Sequence, residues 1–228
     1  MTELFGDASE YDKMLDQGIR LSGEGKAFFI EGRLAFLRSL LPASFPVRSI
    51  LDFGCGAGET SERLSARFGG AHVIGQDVSG DIISHANQRY RGDSALSFTD
   101  ALDAIEPGSI DLCYSNGAFH HIPPAERAGV VSQLLTLTRP GGVVAVFENN
   151  PWNPGTRAVM RRIPFDKDAV PVSSPVLKKL LEQGGFAVAP ARYLFVFPAF
   201  LRLLRPAERF LTRVPAGAQY VVLARRPA

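Results

Sequence analysis

The residues of this chain that are spaced to do chemistry gather at a few points. Gly54, Gly56 and Gly58 stand at alternate positions in ILDFGCGAGET, residues 50–60. Glycine there lets the backbone turn sharply after a strand and lets a ligand approach main chain that a Cβ would shield. Asp77 follows about 20 residues beyond that loop, where an α/β nucleotide site sets the acid that accepts from both ribose hydroxyls. His120 and His121 are an adjacent ionisable pair just past an apolar run. An imidazole near neutrality can take a proton from a hydroxyl or amine as it attacks an electrophile.

These groups need elements to hold them. The run at 48–53 reads as a strand, and Thr60, Leu64 and Phe68 recur at helical spacing behind the loop, with Glu59 and Glu62 near the positive end of the helix dipole. A ligand then belongs at the strand's carboxyl end. Further strands are predicted at 72–76, 95–99, 109–114 and 143–147, with helices at 80–90 and 125–138 between them. The RPGG run, 139–142, ends the second of these helices. A helix at 174–183 stops at Gly184 and Gly185, and strands at 187–197 and 219–225 follow. Near the amino end, two helices between residues 3 and 41 meet at SGEG. In the second, Phe28, Phe29, Leu34, Leu37 and Leu41 form an apolar stripe while Arg33 falls mostly elsewhere.

Composition narrows the classes. The 228 residues suffice for one α/β domain, and a net charge of +2 is far from the strongly basic balance of a nucleic-acid domain. Cys55 and Cys113 have neither metal-ligand spacing nor a disulfide framework, which points to a reducing compartment. The acidic opening MTELFGDASEYDK is unlike a signal peptide, and no apolar run approaches the roughly 18 residues of a membrane span. A cytoplasmic protein is expected.

The loop resembles the signature of class I S-adenosylmethionine (SAM)-dependent methyltransferases of the small-molecule type, apolar-apolar-Asp-x-Gly-x-Gly-x-Gly. RPGG before an apolar strand is similar to the same family, as is SNGAFHHIP, 115–123. A dinucleotide fingerprint would want glycine or alanine where Glu59 stands, and no Tyr-x-x-x-Lys pair is evident, so an NAD-dependent oxidoreductase ranks behind. The resemblance implies an α/β, Rossmann-like doubly wound sheet of seven strands in order 3-2-1-4-5-7-6, the last antiparallel, under an N-terminal helical lid. It implies one domain over 1–228: a lid at 1–46, a SAM-binding core at 47–150, and a substrate-side half at 151–228 with insertions at 151–172 and 197–215. The implied activity is methyl transfer from SAM to oxygen or nitrogen of a small molecule, in biosynthesis of a secondary metabolite, glycan or lipid. A SAM-binding regulatory subunit without catalysis is the rival of another class.

Carried onto this chain, the cofactor-binding residues are Asp52, Gly54, Cys55, Gly56, Gly58, Asp77, Val78, Asp100, Ala101, Asn116 and Gly117. Asp100 would accept from the adenine amino group and the Ala101 amide would reach the ring. His120 and His121 are the candidate bases. Acceptor contacts are assigned to Tyr11, Phe29, Arg33, Asn149, Trp152 and Arg157. Glu148 with Asn149 resembles part of the metal site of catechol-type enzymes, but those also need an aspartate where Ser115 or Asn116 stands, so no metal is expected. The fourth-strand segment departs from the Asn/Asp-Pro-Pro-Tyr of enzymes that methylate nucleic-acid bases, and no nucleic-acid partner is expected.

The insertions bear on the acceptor. Arg157, Arg161 and Arg162 fall on a helical piece at 156–163 beside Trp152 and Phe165, which fits an anionic or ring-bearing molecule. In 197–215, Arg202, Arg205, Arg209 and Arg213 run at near-helical period against Phe200, Leu203, Leu204, Phe210 and Leu211, interrupted by Pro206. The expectation is a helix packed on its own domain, ahead of a lipid-like substrate or a membrane surface.

Overall fold

The computed structural model describes residues 23–162 and 169–228. The first predicted helix, with Tyr11, and Phe165 lie outside those residues. Helix α1, Lys26–Leu40, buries Ile30, Arg33, Leu34 and Leu37. That i, i+3, i+4, i+7 set is the apolar face of a helical turn. It places Arg33 inward, against the expectation, and leaves Phe28 and Phe29 half-buried.

Strand β1 (Ser49–Phe53) leads through the glycine loop to α2 (Glu59–Arg67), then β2 (His72–Gln76), α3 (Gly80–Arg89) and β3 (Leu96–Thr99). After a 3-10 turn at Leu102–Ala104 come β4 (Ile110–Asn116), α4 (Arg127–Leu137) and β5 (Thr138–Asn149). Strand β5 starts before the RPGG run rather than after it, and its pairing with β4 shifts register between Ile110 and Leu112, where that run is absorbed. A short α5 (Pro154–Met160) is capped by Asn153, whose side chain accepts from the Thr156 amide, and α6 spans Ser174–Gln183.

The predicted strand at 187–197 is in fact two, β6 (Ala187–Val188) and β7 (Arg192–Leu194), with Pro190 between them. Proline cannot donate to a ladder, so the strand breaks there. Both pieces pair antiparallel with β8 (Gln219–Arg225), giving the path β3-β2-β1-β4-β5-β8-β6 with β7 alongside β8. This is the expected order, mostly parallel with an antiparallel last strand.

Neighbouring residues of the parallel strands divide between the two faces, as period-two side chains must. Ile50, Leu112 and Val143 join Leu34, Leu64 and Val73 in one core. Leu51, Cys113 and Val144 join Val131, Leu134 and Leu177 in the other. Helix α1 belongs to the first of these cores, so it supports the sheet. The 197–215 segment departs from its expected packing. It forms a 3-10 stretch, Ala199–Ala207, followed by α7, Glu208–Leu211, with Phe200, Leu203 and Phe210 in water.

Candidate active site

The parallel strands deliver their carboxyl ends to one edge: Phe53 pairs with Gln76 and with Ser115, Gln76 with Thr99, and Asn116 with Phe147. The glycine loop crosses this edge. Gly54 and Cys55 donate their amides to the Gln76 carbonyl at 2.8 and 2.9 Å, which ties the loop to β2. Asp77 then grips the loop itself: its Oδ2 accepts from the Gly56 amide at 3.0 Å and its Oδ1 from the Ser79 amide at 3.2 Å. Because Ser79 caps α3 by accepting from Ile82, Asp77 is spared that task.

The glycines have different work. A Cβ at Gly54 would meet the Ala118 Cβ at 2.8 Å, and one at Gly58 would meet Phe98 at 2.7 Å and Tyr90 at 2.9 Å. Gly56, at φ +53°, has nothing within 4 Å of that position. The loop is therefore closed by protein at both ends and open in the middle. Near that opening stand Val78, 86% exposed although apolar, and the exposed Asp100. At the end of β4, Asn116 Oδ1 and Ser115 Oγ are buried without a hydrogen-bond partner. An open cradle, a carboxylate, an exposed apolar side chain and an orphaned acceptor together fit a nucleoside carrying a cationic amine.

Other predicted cofactor residues act from behind. Asp52 is buried and accepts from Ser61 Oγ at 2.7 Å, which fastens α2 under the loop. Burial pushes its carboxyl up to about 7. Cys55 has its side chain in the core, and burial raises its thiol and that of Cys113, so neither is a nucleophile. The Ala101 amide, expected to reach a ligand ring, instead donates to Thr99 Oγ1 at 3.2 Å. Glu59 is paired with Lys26 at 2.7 Å.

On the acceptor side the two histidines are not equivalent. His120 is buried, with Nδ1 2.6 Å from Glu148 Oε2, while Glu148 Oε1 accepts from the Phe119 amide at 2.8 Å. A carboxylate only accepts, so this contact sets the proton on Nδ1 and the lone pair on Nε2. The His120 Cε1 edge lies 3.4 Å from where a Cβ of Gly117 would be. His121 is half-buried and lies against His120, ring centroids 4.2 Å apart. Arg127, also buried, donates to the carbonyls of Ile122 at 2.9 Å and Val170 at 2.8 Å, and the Val170 amide donates to the His120 carbonyl. Glu148 and Arg127 had no such role in the sequence reading. The available signal was an acid ending the apolar run VVAVFE, since a buried strand carboxylate needs partners.

The predicted acceptor residues are only partly brought together. Arg33 donates to Tyr114 Oη and to Gln219 Oε1, both at 3.1 Å, and Gln219 Nε2 donates to Asn149 Oδ1 at 3.2 Å, so Gln219 links Arg33 to Asn149. Phe29 packs edge-on against Phe195, centroids 5.0 Å apart. Trp152 is 52% exposed and Arg157 faces water on α5. Among the described residues no group of three or more His, Cys, Asp or Glu side chains could hold a metal ion, and no helix is long and apolar enough to cross a membrane.

Residues 50–142 match the family described as "Methyltransferase domain". Over 110 residues the chain is 34% identical to trans-aconitate 2-methyltransferase of Deinococcus radiodurans, which covers 48% of this chain and 41% of that protein. Over 109 residues it is 32% identical to malonyl-[acyl-carrier protein] O-methyltransferase of Pectobacterium atrosepticum, with the same coverages, 48% and 41%. The chain spans about half the length of the curated relatives it matches. A SAM-dependent methyltransferase from Archaeoglobus fulgidus shares the fold at a TM-score of 0.64 and 20% identity, over 86% of this chain and 94% of that one. The glycine cradle and the strand order agree with these likenesses: residues 50–142 match a methyltransferase domain, within a chain that has the fold of the class I SAM-dependent methyltransferases.

Proposed function

We propose that the protein transfers the methyl group of SAM to an oxygen or nitrogen of a small-molecule acceptor. The observation that carries this reading is the open face at Gly56, bounded by the Asp77 carboxylate, on the same sheet edge as the His120–Glu148 pair. When bound, SAM supplies an activated methyl carbon on a sulfonium. Asp77 would hold the ribose hydroxyls, Val78 and Asp100 the adenine side, and the orphaned Asn116 Oδ1 the ammonium group. The chain's own contribution is alignment of acceptor, methyl carbon and sulfur, an effect that supplies several kcal/mol.

His120 serves as base when the acceptor arrives protonated, with Glu148 fixing its tautomer and steadying the imidazolium. An ionised carboxylate needs no base. Because the two relatives above are named for acceptors that are carboxylic acids, carboxylates head the panel to be tried, followed by phenols and amines. We read the protein as cytoplasmic, in keeping with two buried free cysteines, and as one domain.

The test is calorimetric titration with SAM, its demethylated product and NAD, followed by turnover on that panel. Wild type should bind SAM and its product, and Asp77→Ala should bind on the order of 10-fold to 100-fold more weakly, the worth of a charged hydrogen bond. His120→Asn should slow transfer to phenols or amines and spare transfer to carboxylates. Binding of NAD without SAM would refute the proposal.

A further inference from the structure

The segment between β7 and β8 turns large apolar side chains to water. Phe200, Leu203 and Phe210 are 83%, 89% and 72% exposed, while Phe197, Leu201 and Leu211 are half-buried. Arg205 faces inward instead. It stacks over Phe28 at 4.5 Å and donates to Glu24 Oε1 at 2.8 Å and to the Phe197 carbonyl at 3.2 Å. Glu208, the one acid of residues 197–215, also turns in and accepts from the Phe197 amide at 2.8 Å. Its inward polar groups pin the segment to the domain, and its outer face carries apolar side chains together with Arg202, Arg209 and Arg213, all exposed.

A second stretch extends this face. Asn150 Nδ2 donates to the carbonyls of Pro215 and Gly217, and Asn153 Nδ2 to that of Ala216, so residues 150–162 are held against the end of the first segment. That stretch contains no acid and adds exposed Trp152, Arg157, Arg161 and Arg162. A chain of formal net charge +2 thus gathers six exposed arginines and no exposed acid on these two segments. Both emerge where Asn149 pairs with Gln219, at the carboxyl edge of the sheet that holds the candidate active site.

We propose that this face docks on an anionic phospholipid bilayer, with Phe200, Leu203 and Phe210 entering the boundary between headgroups and acyl chains and the arginines lying among the lipid phosphates. Chemistry selects this partner. Exposed leucine and phenylalanine are desolvated at that boundary, whereas a nucleic-acid backbone would neutralise the arginines and leave leucine in water. A second copy docked through a two-fold contact would set the same arginines against one another. Docking turns the mouth of the site toward the membrane, and it stands apart from methyl transfer because it requires no cofactor.

The test is flotation of the full chain, without SAM, on vesicles of phosphatidylcholine alone and of phosphatidylcholine mixed with phosphatidylglycerol, at low and high salt. Wild type should float with the mixed vesicles only, and salt should release it. The triple variant Arg202→Glu, Arg209→Glu, Arg213→Glu should partition on the order of 100-fold more weakly or worse, and the double variant Phe200→Ser, Leu203→Ser should also lose binding. Both variants should keep wild-type circular dichroism and SAM affinity. Equal flotation on neutral and anionic vesicles, no flotation, or binding untouched by either variant would overturn the proposal. Sedimentation velocity showing a wild-type dimer that both variants dissolve would overturn it too, in favour of contact between copies.

Discussion

Gly56→Ala and Gly58→Ala differ by two positions in one loop and should fail in different ways. Both glycines sit at positive φ, +53° and +84°. Placing alanine in that conformation costs about 1–2 kcal/mol at either position. Only at Gly58 does the new methyl meet protein, at 2.7 Å from Phe98 and 2.9 Å from Tyr90. Phe98 has little room to retreat, because its ring stacks on Tyr90 at 5.6 Å and lies so close to Gly75 that a Cβ there would approach it to 2.5 Å. Overpacking of that kind costs about 1–3 kcal/mol more. Gly58→Ala should therefore lose about 2–5 kcal/mol of folding stability and Gly56→Ala only about 1–2 kcal/mol. The ranking reverses for ligand. A methyl on Gly56 projects into the open face of the loop and should weaken SAM about 10-fold or more, whereas folded Gly58→Ala should lose little. Urea denaturation of the free protein and calorimetry with SAM measure the two quantities separately. If Gly58→Ala proves as stable as Gly56→Ala, Phe98 is not wedged as described. If Gly56→Ala binds SAM like wild type, the loop is not the cradle.

Asp52 makes a prediction about pH. Burial raises its carboxyl from 3.8 to about 7, so the folded protein holds a proton there that the unfolded chain has released. The stabilisation from that proton is complete below the unfolded value and is lost as pH rises through about 7, a change of up to ~4 kcal/mol. Asn cannot ionise, so Asp52→Asn should gain stability relative to wild type across that window in denaturant titrations at several pH values; a difference that stays flat would contradict the assignment. Glu148→Gln tests the buried pair. The amide oxygen cannot serve both the Phe119 amide and His120 Nδ1–H, so the variant should lose about 1–3 kcal/mol of stability. It should also slow transfer to a phenol while leaving SAM affinity near wild type. Equal rates with phenol and carboxylate acceptors in this variant would remove the pair from the proton step.

Local pattern alone carried much of the molecule. Strand β2 at 72–76, helix α6 at 174–183 and strand β8 at 219–225 lie where the sequence put them, because each combines a clear period with a proline or glycine boundary. Glycines at 54, 56 and 58 and the acid at Asp77 were legible for the same reason: a loop at a strand's carboxyl end is a short-range feature whose chemistry travels with its spacing. Sequence even freed Asp77 from capping, since Ser79 was at hand for α3.

Pairings between distant segments were another matter. No spacing rule joins His120 to Glu148, which come from different strand ends and meet only because β4 and β5 are neighbours. Arg33 falls mostly off the apolar stripe in sequence and reads as an acceptor contact, yet packing of Ile30, Leu34 and Leu37 turns it inward to Tyr114 and Gln219. The arginine segment shows the limit most plainly. Its amphipathic pattern states that cations and apolar groups occupy separate faces, but not which face meets the protein. Glu24 and the Phe28 ring gave Arg205 a partner on the domain, and Phe200, Leu203 and Phe210 were left outside beside Arg202, Arg209 and Arg213. Periodicity is a property of one segment, whereas the choice of buried face is made by the surface it lands on, and only the tertiary structure supplies that surface.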